Sequence, residues 1–173
     1  MKIACYPIRK NAALPVFATQ GAACADIKAH LEGIDMVDAY SSQNKKVALP
    51  ISSIPEQAKI VLTLPPRFRA MVPTGLIFDI PDNFSLRFHP RSGQSLKQFM
   101  VLANAEAVID DDYVEESFVL LANLSDVPVT IEHGERICQI ELVEKRAFSF
   151  GFSENRPARK SERSGGMGHT GTV

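Results

Sequence analysis

The sequence is organised around one acidic stretch, which reads Asn104-Ala-Glu-Ala-Val-Ile-Asp-Asp-Asp-Tyr-Val-Glu-Glu116. Apolar runs flank it at 99–103 and 117–123, and both are typical of β-strands. We therefore predict that the acidic stretch lies at the narrow end of a β-hairpin. Asp110 follows the apolar pair Val108-Ile109, and partial burial there would make its carboxylate a candidate general base. A solvated acidic turn is the alternative, because clusters of charge usually mark turns.

Length and composition are those of one globular domain. The chain has 173 residues, of which 45% are hydrophobic and 23% charged, and its net charge of −1 argues against a nucleic-acid or membrane footprint. Its three cysteines are far apart, which suits a reducing compartment and does not resemble a metal site or a disulfide framework. No segment resembles a signal peptide or approaches membrane-spanning length. We predict a cytoplasmic protein that binds neither nucleic acid nor membranes.

Short apolar segments recur along the chain, with eleven prolines and no long helical pattern. In the segment 84–89, Phe84, Leu86 and Phe88 alternate with polar residues, as in a half-buried strand. This pattern predicts an all-β sandwich or barrel. The other predicted strands are 2–8, 59–64, 67–80 with an interruption at 73–75, and a second hairpin formed by 127–131 and 136–143.

Two segments depart from the strand pattern. Residues 30–57 contain glycine, prolines and polar clusters without a sustained period, and we interpret them as an inserted loop region that could carry short strands. This insertion is either a plain loop or a binding surface for a protein partner. Residues 153–173 are polar, basic and glycine-rich. We predict a folded domain at 1–152 and a mobile C-terminal arm at 153–173.

Three polar features outside the acidic stretch could carry chemistry. In Pro90-Arg91-Ser92-Gly93, Arg91 can grip a phosphate or carboxylate, Ser92 can donate a hydrogen bond, and Gly93 lets backbone N–H groups face an anion. Asp26 is a distant helper for a metal ion, or a turn residue. Gln139 lies on the polar face of a predicted strand, where its amide could hold a water molecule or simply be solvated.

The glycine-rich end of the chain, Arg163-Ser-Gly-Gly-Met-Gly-His-Thr-Gly171, has two interpretations. Glycine at this density exposes backbone N–H groups, and Arg163, His169 and Thr170 add charge and donors. The composition is that of a disordered tail. Alternatively, the segment is a lid that orders over a polyphosphate and excludes water.

Five segments in this order resemble the motifs of the trimeric dUTPase family: 23–27, 90–93, 104–113, 134–139 and the glycine-rich end. The resemblance implies a jelly-roll-like distorted β-barrel, a homotrimer with shared active sites, and a mobile Gly-rich arm that closes over the site. It also implies hydrolysis of dUTP to dUMP and pyrophosphate by attack of water on the α-phosphate. This reaction keeps uracil out of DNA and supplies dUMP for thymidylate synthesis.

The resemblance assigns catalytic roles to residues of four motifs. Asp110 would orient and deprotonate the water, and Gln139 would help to hold it. Ser92 would contact the bridging phosphate oxygens, while Arg91 would support the catalytic carboxylate and the subunit junction. Asp26 would bind, through water, a Mg²⁺ ion carried by the triphosphate.

The resemblance also assigns substrate-binding roles. The backbone of the segment 104–118 would read the uracil edge and exclude cytosine and thymine. Tyr113 would lie under the deoxyribose and leave no space for a 2′-hydroxyl. The substrate-binding residues implied in this way are Arg91, Ser92, Gly93, Asn104, Val108, Ile109, Asp110, Tyr113, Phe118, Gln139, Arg163, Met167, Gly168 and His169.

Several residues depart from the family pattern. Ala107, Glu115 and Cys24 replace glycines, and Met167 stands where an aromatic ring usually covers the uracil. A replaced glycine matters if its site needs a positive φ angle. Two alternatives follow: a nucleotide-binding, signalling member of the same fold with weakened catalysis, and a relative of the dCTP deaminases.

Overall fold

Short antiparallel strands make up most of the fold in the computed structural model, which describes residues 1–162. One α-helix, α1 (Ser92–Gln98), and one 3₁₀ turn (Pro55–Gln57) are the helical elements of this part of the chain. The predicted all-β class is confirmed. The strands are β1 (Ala4–Pro7), β2 (Val16–Phe17), β3 (Ala25–Lys28), β4 (Met36–Tyr40), β5 (Lys46–Ile54), β6 (Lys59–Leu64), β7 (Arg69–Pro73), β8 (Leu76–Asp79), β9 (Phe84–His89), β10 (Met100–Leu102), β11 (Ala107–Asp110), β12 (Phe118–Asn123), β13 (Val129–Glu132) and β14 (Arg136–Glu144).

The strands form a jelly-roll-like barrel from two main sheets and one small one. The larger sheet has the order β10-β12-β7-β4-β5-β6-β13, and the five-stranded sheet has the order β11-β9-β14-β3-β2. Strands β1 and β8 form the small sheet. Apolar side chains from both main sheets, such as Leu62, Val72, Phe88 and Ile137, are buried in one shared core. Burial of these apolar faces is the main force that holds the sheets together.

Strand β9 shows how the sequence pattern creates the inner face of the five-stranded sheet. Leu86 and Phe88 are buried in the core, and Arg87 and His89 face outward, as the alternation predicts. Ser85 is the exception, because it is buried on the outward face. It lies between Asp110 of β11 and Val143 of β14, so neighbouring strands cover it from both sides.

The predicted hairpin around the acidic stretch is confirmed, because the flanking runs pair with each other as β10 and β12. The connection between them is wider than a tight turn, because β11 leaves their sheet and pairs with β9 in the five-stranded sheet. The crossing begins at a turn where Ala105 has a φ angle of 61° and Glu106 N–H donates to the carbonyl of Asn104 at 2.7 Å.

The second predicted hairpin is wrong, because β13 and β14 belong to different sheets. Strand β13 pairs with β6, whereas β14 pairs with β3 and β9. The turn between them is held to two different neighbours: His133 N–H donates to the carbonyl of Ile60, and Gly134 N–H donates to that of Ala29. Gly134 has a φ angle of 79°, which suits glycine at such a turn.

The segment 30–57 is more regular than the predicted insertion. Strand β4 pairs along its whole length with β5 and also contacts β7, while β5 pairs with β6, so this hairpin forms the centre of the larger sheet. Val37 and Ala39 point into the core, and Met36 and Tyr40 are exposed. Because Met36 and Tyr40 on the outer face are not polar, β4 lacks the alternation of polar and apolar residues that marks a half-buried strand. The prediction allowed short strands in this loop region, and β4 and β5 are strands that belong to the larger sheet.

A buried histidine joins the two main sheets near this hairpin. His30 is 2% exposed, and its ring packs edge-on against that of His133, with 5.1 Å between the ring centroids. The backbone N–H of His30 donates to the carbonyl of Pro73. Burial lowers the pKa of His30, and the nearby His133 and Arg9 lower it further. The folded protein therefore favours the neutral imidazole.

We expect acidification to destabilise the fold through His30. Because its pKa is lower in the folded chain, the unfolded chain binds the proton first as the pH falls below about 6.5, and the free energy of unfolding decreases there. Urea unfolding at several pH values between 8 and 5 should show a smaller decrease in His30→Gln than in the wild type. Parallel curves for the two proteins would contradict this assignment.

Candidate active site

The outward face of the five-stranded sheet carries most of the residues predicted for the site. Side chains of directly paired residues point to the same side of a sheet. Asp26, Gln139 and His89 form one row across β3, β14 and β9. Further along the same face, Asp110 lies opposite Ser85.

Asp26 is the centre of a compact ion cluster at one end of this face. It is 5% exposed, and its Oδ2 accepts a hydrogen bond from Arg136 Nη1 at 3.1 Å. Its Oδ1 lies 3.3 Å from Arg91 Nε. Arg91 Nη1 also donates to the carbonyl of Arg136 at 2.9 Å. The cluster fixes the Arg91 side chain at the junction of β9 and α1. No sequence pattern predicted Arg136 as a partner of Asp26.

Ser92 and Gly93 lie in the first turn of α1 rather than in a simple turn. N–H groups at the start of a helix have no acceptor within the helix, so they are available to an anion. A Cβ atom on Gly93 would meet no heavy atom within 4 Å. Packing therefore does not require glycine there, and the open space is available to a ligand.

Asp110 ends β11 and begins a tight turn, in which its carbonyl accepts a hydrogen bond from Tyr113 N–H at 3.2 Å. Ile109 packs against the core, as predicted for the apolar pair, but Val108 is 45% exposed. Asp110 is also exposed in the single chain, so the predicted partial burial is not present there.

The neighbouring Asp111 anchors this turn to the end of β14. Its carboxylate forms an ion pair with Lys145 and accepts a hydrogen bond from Asn83 N–H at 3.0 Å. The hydrogen bond from Lys145 lowers the pKa of Asp111, and that from Asn83 lowers it further. Asp111 is therefore a fixed anion that holds the turn, a role that sequence analysis missed.

Tyr113 is held on the other side of the turn. Its hydroxyl donates to the carbonyl of Glu116 at 2.9 Å, and the residue remains 38% exposed. Burial, and then the carboxylates of Glu115 and Glu116, raise the pKa of Tyr113, so the phenol stays protonated and keeps this hydrogen bond. One part of the ring is thus available to a ligand.

A polar network connects the loop before β11 to the middle of this face. Glu106 lies 3.6 Å from His89 Nδ1 and 3.7 Å from Arg87 Nη1. The other ring nitrogen of His89 lies 3.3 Å from Glu141. The sequence offered only the strand alternation as a signal for this network. The network connects the position of this loop to β9 and β14, the strands that carry His89 and Gln139.

A single chain does not bring all of the predicted site residues together. Asp110 lies opposite Ser85, and Gln139 lies opposite His89, which is four residues away along β9. At roughly 3.3 Å per residue, this offset is about 13 Å, and the two side chains also belong to different strands. Asp26, Arg91 and Gln139 therefore form one group, and Asp110 and Tyr113 form another.

The remaining predicted residues lie at the edges of the site or outside the described chain. Asn104 is exposed in the loop after β10, and Phe118 begins β12 in the larger sheet, opposite Pro73. Residues 163–173 are not described, so the structure does not place Arg163, Met167, Gly168 or His169.

The two residues that replace family glycines in the acidic stretch, Ala107 and Glu115, cause no backbone strain. Ala107 lies in the regular strand β11, and neither Ala107 nor Glu115 has a positive φ angle. The left-handed conformation in this region falls on Ala105 instead. The hairpin therefore forms without glycine at either position.

The residues around Asp26 are better suited to contact a metal ion that is bound to a ligand than to hold a metal ion by themselves. Within residues 1–162, no three His, Cys, Asp or Glu side chains are grouped to hold a metal ion. Asp26 Oδ1 accepts no hydrogen bond from any described residue and is buried beside Arg91, so a water molecule reaches it only if the Arg91 side chain turns away. Mg²⁺ usually keeps several water ligands, and Asp26 suits such an outer contact.

The described chain also lacks a helix that is long and apolar enough to cross a membrane. Its three cysteines, Cys5, Cys24 and Cys138, are free thiols.

Comparison with known proteins identifies the family of this chain. The dUTPase family model matches residues 57–171. A deoxyuridine 5′-triphosphate nucleotidohydrolase from Rhizobium leguminosarum bv. trifolii (strain WSM2304) is 38% identical over 141 residues, which cover 81% of this chain and 87% of the relative. The chain belongs to the dUTPase family.

Solved structures support the fold independently. A mutant dUTPase of Staphylococcus bacteriophage 80alpha with dUpNHpp has a TM-score of 0.73 at 20% identity, over 98% of each chain. A mutant dUTPase from phage phi11 of S. aureus has a TM-score of 0.64 at 16% identity, over 90% of this chain and 98% of that chain. The latter structure is described as showing the coordination of a structural Mg(II) ion. At these identities the likeness establishes the jelly-roll-like fold.

We expect Asp26→Asn to destabilise the protein by about 3 kcal/mol, because the change leaves Arg91 and Arg136 facing each other without a buried counter-charge. Urea unfolding measures this loss. The matched control is Asp126→Asn, which breaks an exposed ion pair with Arg67 and should cost less. Equal losses in the two variants would contradict the role given to the Asp26 cluster.

Proposed function

We propose that the protein hydrolyses dUTP to dUMP and pyrophosphate, by attack of water on the α-phosphate. Membership of the dUTPase family carries this proposal, together with the outward face that holds Asp26, Gln139 and Asp110. In the cell, the reaction would keep uracil out of DNA and supply dUMP for thymidylate synthesis.

The residues of the site suit this chemistry. Phosphoryl transfer depends on alignment and on stabilisation of charge more than on a special nucleophile. Asp110 carries a carboxylate that can take the proton from the water, and the Gln139 amide can hold that water against the α-phosphate. Arg91, fixed by Asp26, and the hydroxyl of Ser92 supply donors where negative charge grows on the phosphate oxygens.

Selection of uracil and deoxyribose is assigned to the segment 104–118. Its backbone would read the uracil edge, with Asn104, Val108, Ile109 and Phe118 lining the slot. The ring of Tyr113 would lie against the deoxyribose and leave no space for a 2′-hydroxyl. The exposed part of this ring and its fixed hydroxyl support the assignment.

Magnesium is assigned to the triphosphate of the substrate. When bound, Mg²⁺ neutralises charge on the phosphate oxygens. Asp26 would contact the water shell of the ion through Oδ1, which becomes accessible when Arg91 turns from it toward the phosphates. The arginine partners of Asp26 argue against a direct bond to the metal.

The active form is proposed to be a homotrimer with shared active sites. The separation of about 13 Å along β9 between the Asp110 row and the Gln139 row supports this proposal. A nucleotide bound at Gln139 of one subunit could then meet Asp110 of another. Burial of Asp110 by a neighbouring subunit would also supply the environment that the single chain lacks.

Two further assignments concern segments outside the site. We propose that residues 153–173 form an arm attached to the domain 1–152, with Arg163, Gly168 and His169 closing on the phosphates and Met167 on the uracil. The hairpin within 30–57 is a candidate surface for a protein partner, because Met36 and Tyr40 are exposed on it. We place the reaction in the cytoplasm, since free cysteines suit a reducing compartment.

The proposed activity predicts a clear substrate preference. Purified protein with Mg²⁺ should release pyrophosphate rapidly from dUTP and only slowly from dCTP, dTTP and UTP. Asp110→Asn should still fold and bind dUTP, but its kcat should fall by about a thousandfold or more, because the general base is lost.

Control measurements separate the alternatives. Asp126→Asn changes an acid far from the site and should retain normal turnover. Ammonia released from dCTP would indicate a deaminase, and tight dUTP binding without turnover by the wild type would indicate a signalling protein. Near-normal turnover in Asp110→Asn would remove Asp110 from the role of base.

Shared sites predict complementation between inactive variants. Asp110→Asn and Gln139→Leu should each be inactive as homotrimers. After co-expression, random assembly should restore about one quarter of the wild-type activity, because half of the subunits carry each intact residue. Pyrophosphate release by the purified mixed trimer measures this recovery. If mixed trimers form but stay inactive, Asp110 and Gln139 do not come from different subunits.

A further inference from the structure

A buried carboxylate of the acidic stretch forms an ion pair with a partly exposed arginine, Arg9, which has no role in the site described above. Glu116 is 7% exposed, and its Oε2 accepts a hydrogen bond from Arg9 Nη2 at 3.0 Å. Its Oε1 accepts a second hydrogen bond, from Arg9 Nε at 3.3 Å. Arg9 therefore binds the Glu116 carboxylate in a bidentate manner, through two nitrogen atoms of one guanidinium. Among the side chains, arginine alone provides this geometry.

The same carboxylate is tied to the turn between β7 and β8. Gly75 N–H donates to Glu116 Oε1 at 2.9 Å. Gly75 has a φ angle of 73°, and a Cβ atom there would lie 3.0 Å from Ala12 and 3.1 Å from the His30 ring. Glycine is therefore required at this position, and its amide is held in a fixed direction. The preceding residue is also held, since Thr74 Oγ1 donates to the carbonyl of Ser117 at 2.7 Å.

Glu116 connects this anchor to Tyr113. Its side chain is fixed by Arg9 and Gly75, and its own carbonyl accepts the hydrogen bond from the Tyr113 hydroxyl at 2.9 Å. The orientation of the phenol ring therefore depends on the position of the Glu116 backbone, which in turn depends on its buried carboxylate.

Asp110 has a separate support. The turn that begins at Asp110 is anchored through Asp111 to Lys145, which follows β14, and to Asn83, which precedes β9. Loss of the Arg9 contact should therefore disturb Tyr113 more than Asp110. This separation makes the two effects distinguishable in kinetics.

We propose that Arg9 is a positioning residue for sugar selection: through Glu116 it fixes the ring of Tyr113 and so maintains discrimination against a 2′-hydroxyl. This inference rests on the proposed function. Without Arg9, Glu116 is left as a buried carboxylate without a cation, which is costly, so the side chain turns toward water and moves its carbonyl. Tyr113 then loses its fixed acceptor.

The test compares dUTP and UTP in Arg9→Met. We expect the ratio of kcat/KM for dUTP to that for UTP to fall by about tenfold, since a small misplacement of a positioning group can cost this much or more. KM for dUTP should rise more than kcat falls, because Asp110 keeps its own anchor. Pyrophosphate release measures both quantities at a temperature where the variant is folded.

Two further variants exclude a general loss of stability. Arg67→Met breaks the exposed pair with Asp126 and should leave the ratio unchanged. The double variant Arg9→Met/Glu116→Gln should regain most of the discrimination, because a neutral amide oxygen can accept from Gly75 N–H without a cation nearby. If Arg9→Met does not fold, Arg9→Lys replaces it, with a smaller fall in the ratio expected.

The outcomes separate this inference from the proposed function. A wild-type protein that does not hydrolyse dUTP would overturn both. Normal wild-type hydrolysis with an unchanged dUTP to UTP ratio in the folded Arg9 variants would overturn the positioning role alone. A fall in the ratio that the Glu116→Gln change does not reverse would also overturn it, because the effect would then not pass through the Glu116 carboxylate.

Discussion

The pairing of β9 with two neighbours is the constraint on which the site depends. Strand β9 holds β11 on one side and β14 on the other, and the two pairings fix Asp110 opposite Ser85 and Gln139 opposite His89. Hydrogen-bonded register does not shift by part of a residue, and a slip by one residue would turn every side chain to the other face. The separation between the acid and the amide is therefore a property of the sheet. In the proposed homotrimer, a nucleotide that contacts both groups would bind between two chains, so assembly and catalysis would be linked by β-sheet geometry.

The acidic stretch is stable because several of its charges are neutralised in different ways. Asp111 is paired with Lys145, and Glu116 is paired with Arg9. These two contacts hold the ends of the turn to different parts of the barrel. They also leave the outward face free for Asp110, whose carboxylate forms no ion pair with any residue of the described chain. Without these ion pairs, the negative charges of the segment would repel one another and would also repel a triphosphate.

Local patterns predicted most of the fold but not the partners of its strands. The alternation of apolar and polar residues in β9 identified its buried face, because the polarity of each side chain matches its own degree of burial. The hairpin of β10 and β12 was predicted because its strands are neighbours in sequence, whereas the partners of β11 and β14 were not, because they are distant in sequence and no local pattern carries that information. Likewise, Asp26, Arg91 and Gln139 were identified through motifs, whereas Arg136, Lys145 and Arg9 were not. These partners are ordinary basic residues in sequence, and only the fold brings them to a carboxylate.

The two anchors of the acidic stretch suggest why selection and chemistry can vary separately. Lys145 and Asn83 hold the end that carries Asp110, and Arg9 and Gly75 hold the end that carries Tyr113. Because the anchors share no residue, a change at one need not propagate fully to the other. The carboxylate that would activate water and the ring that would exclude a 2′-hydroxyl thus lie a few residues apart, but their positions depend on different parts of the barrel.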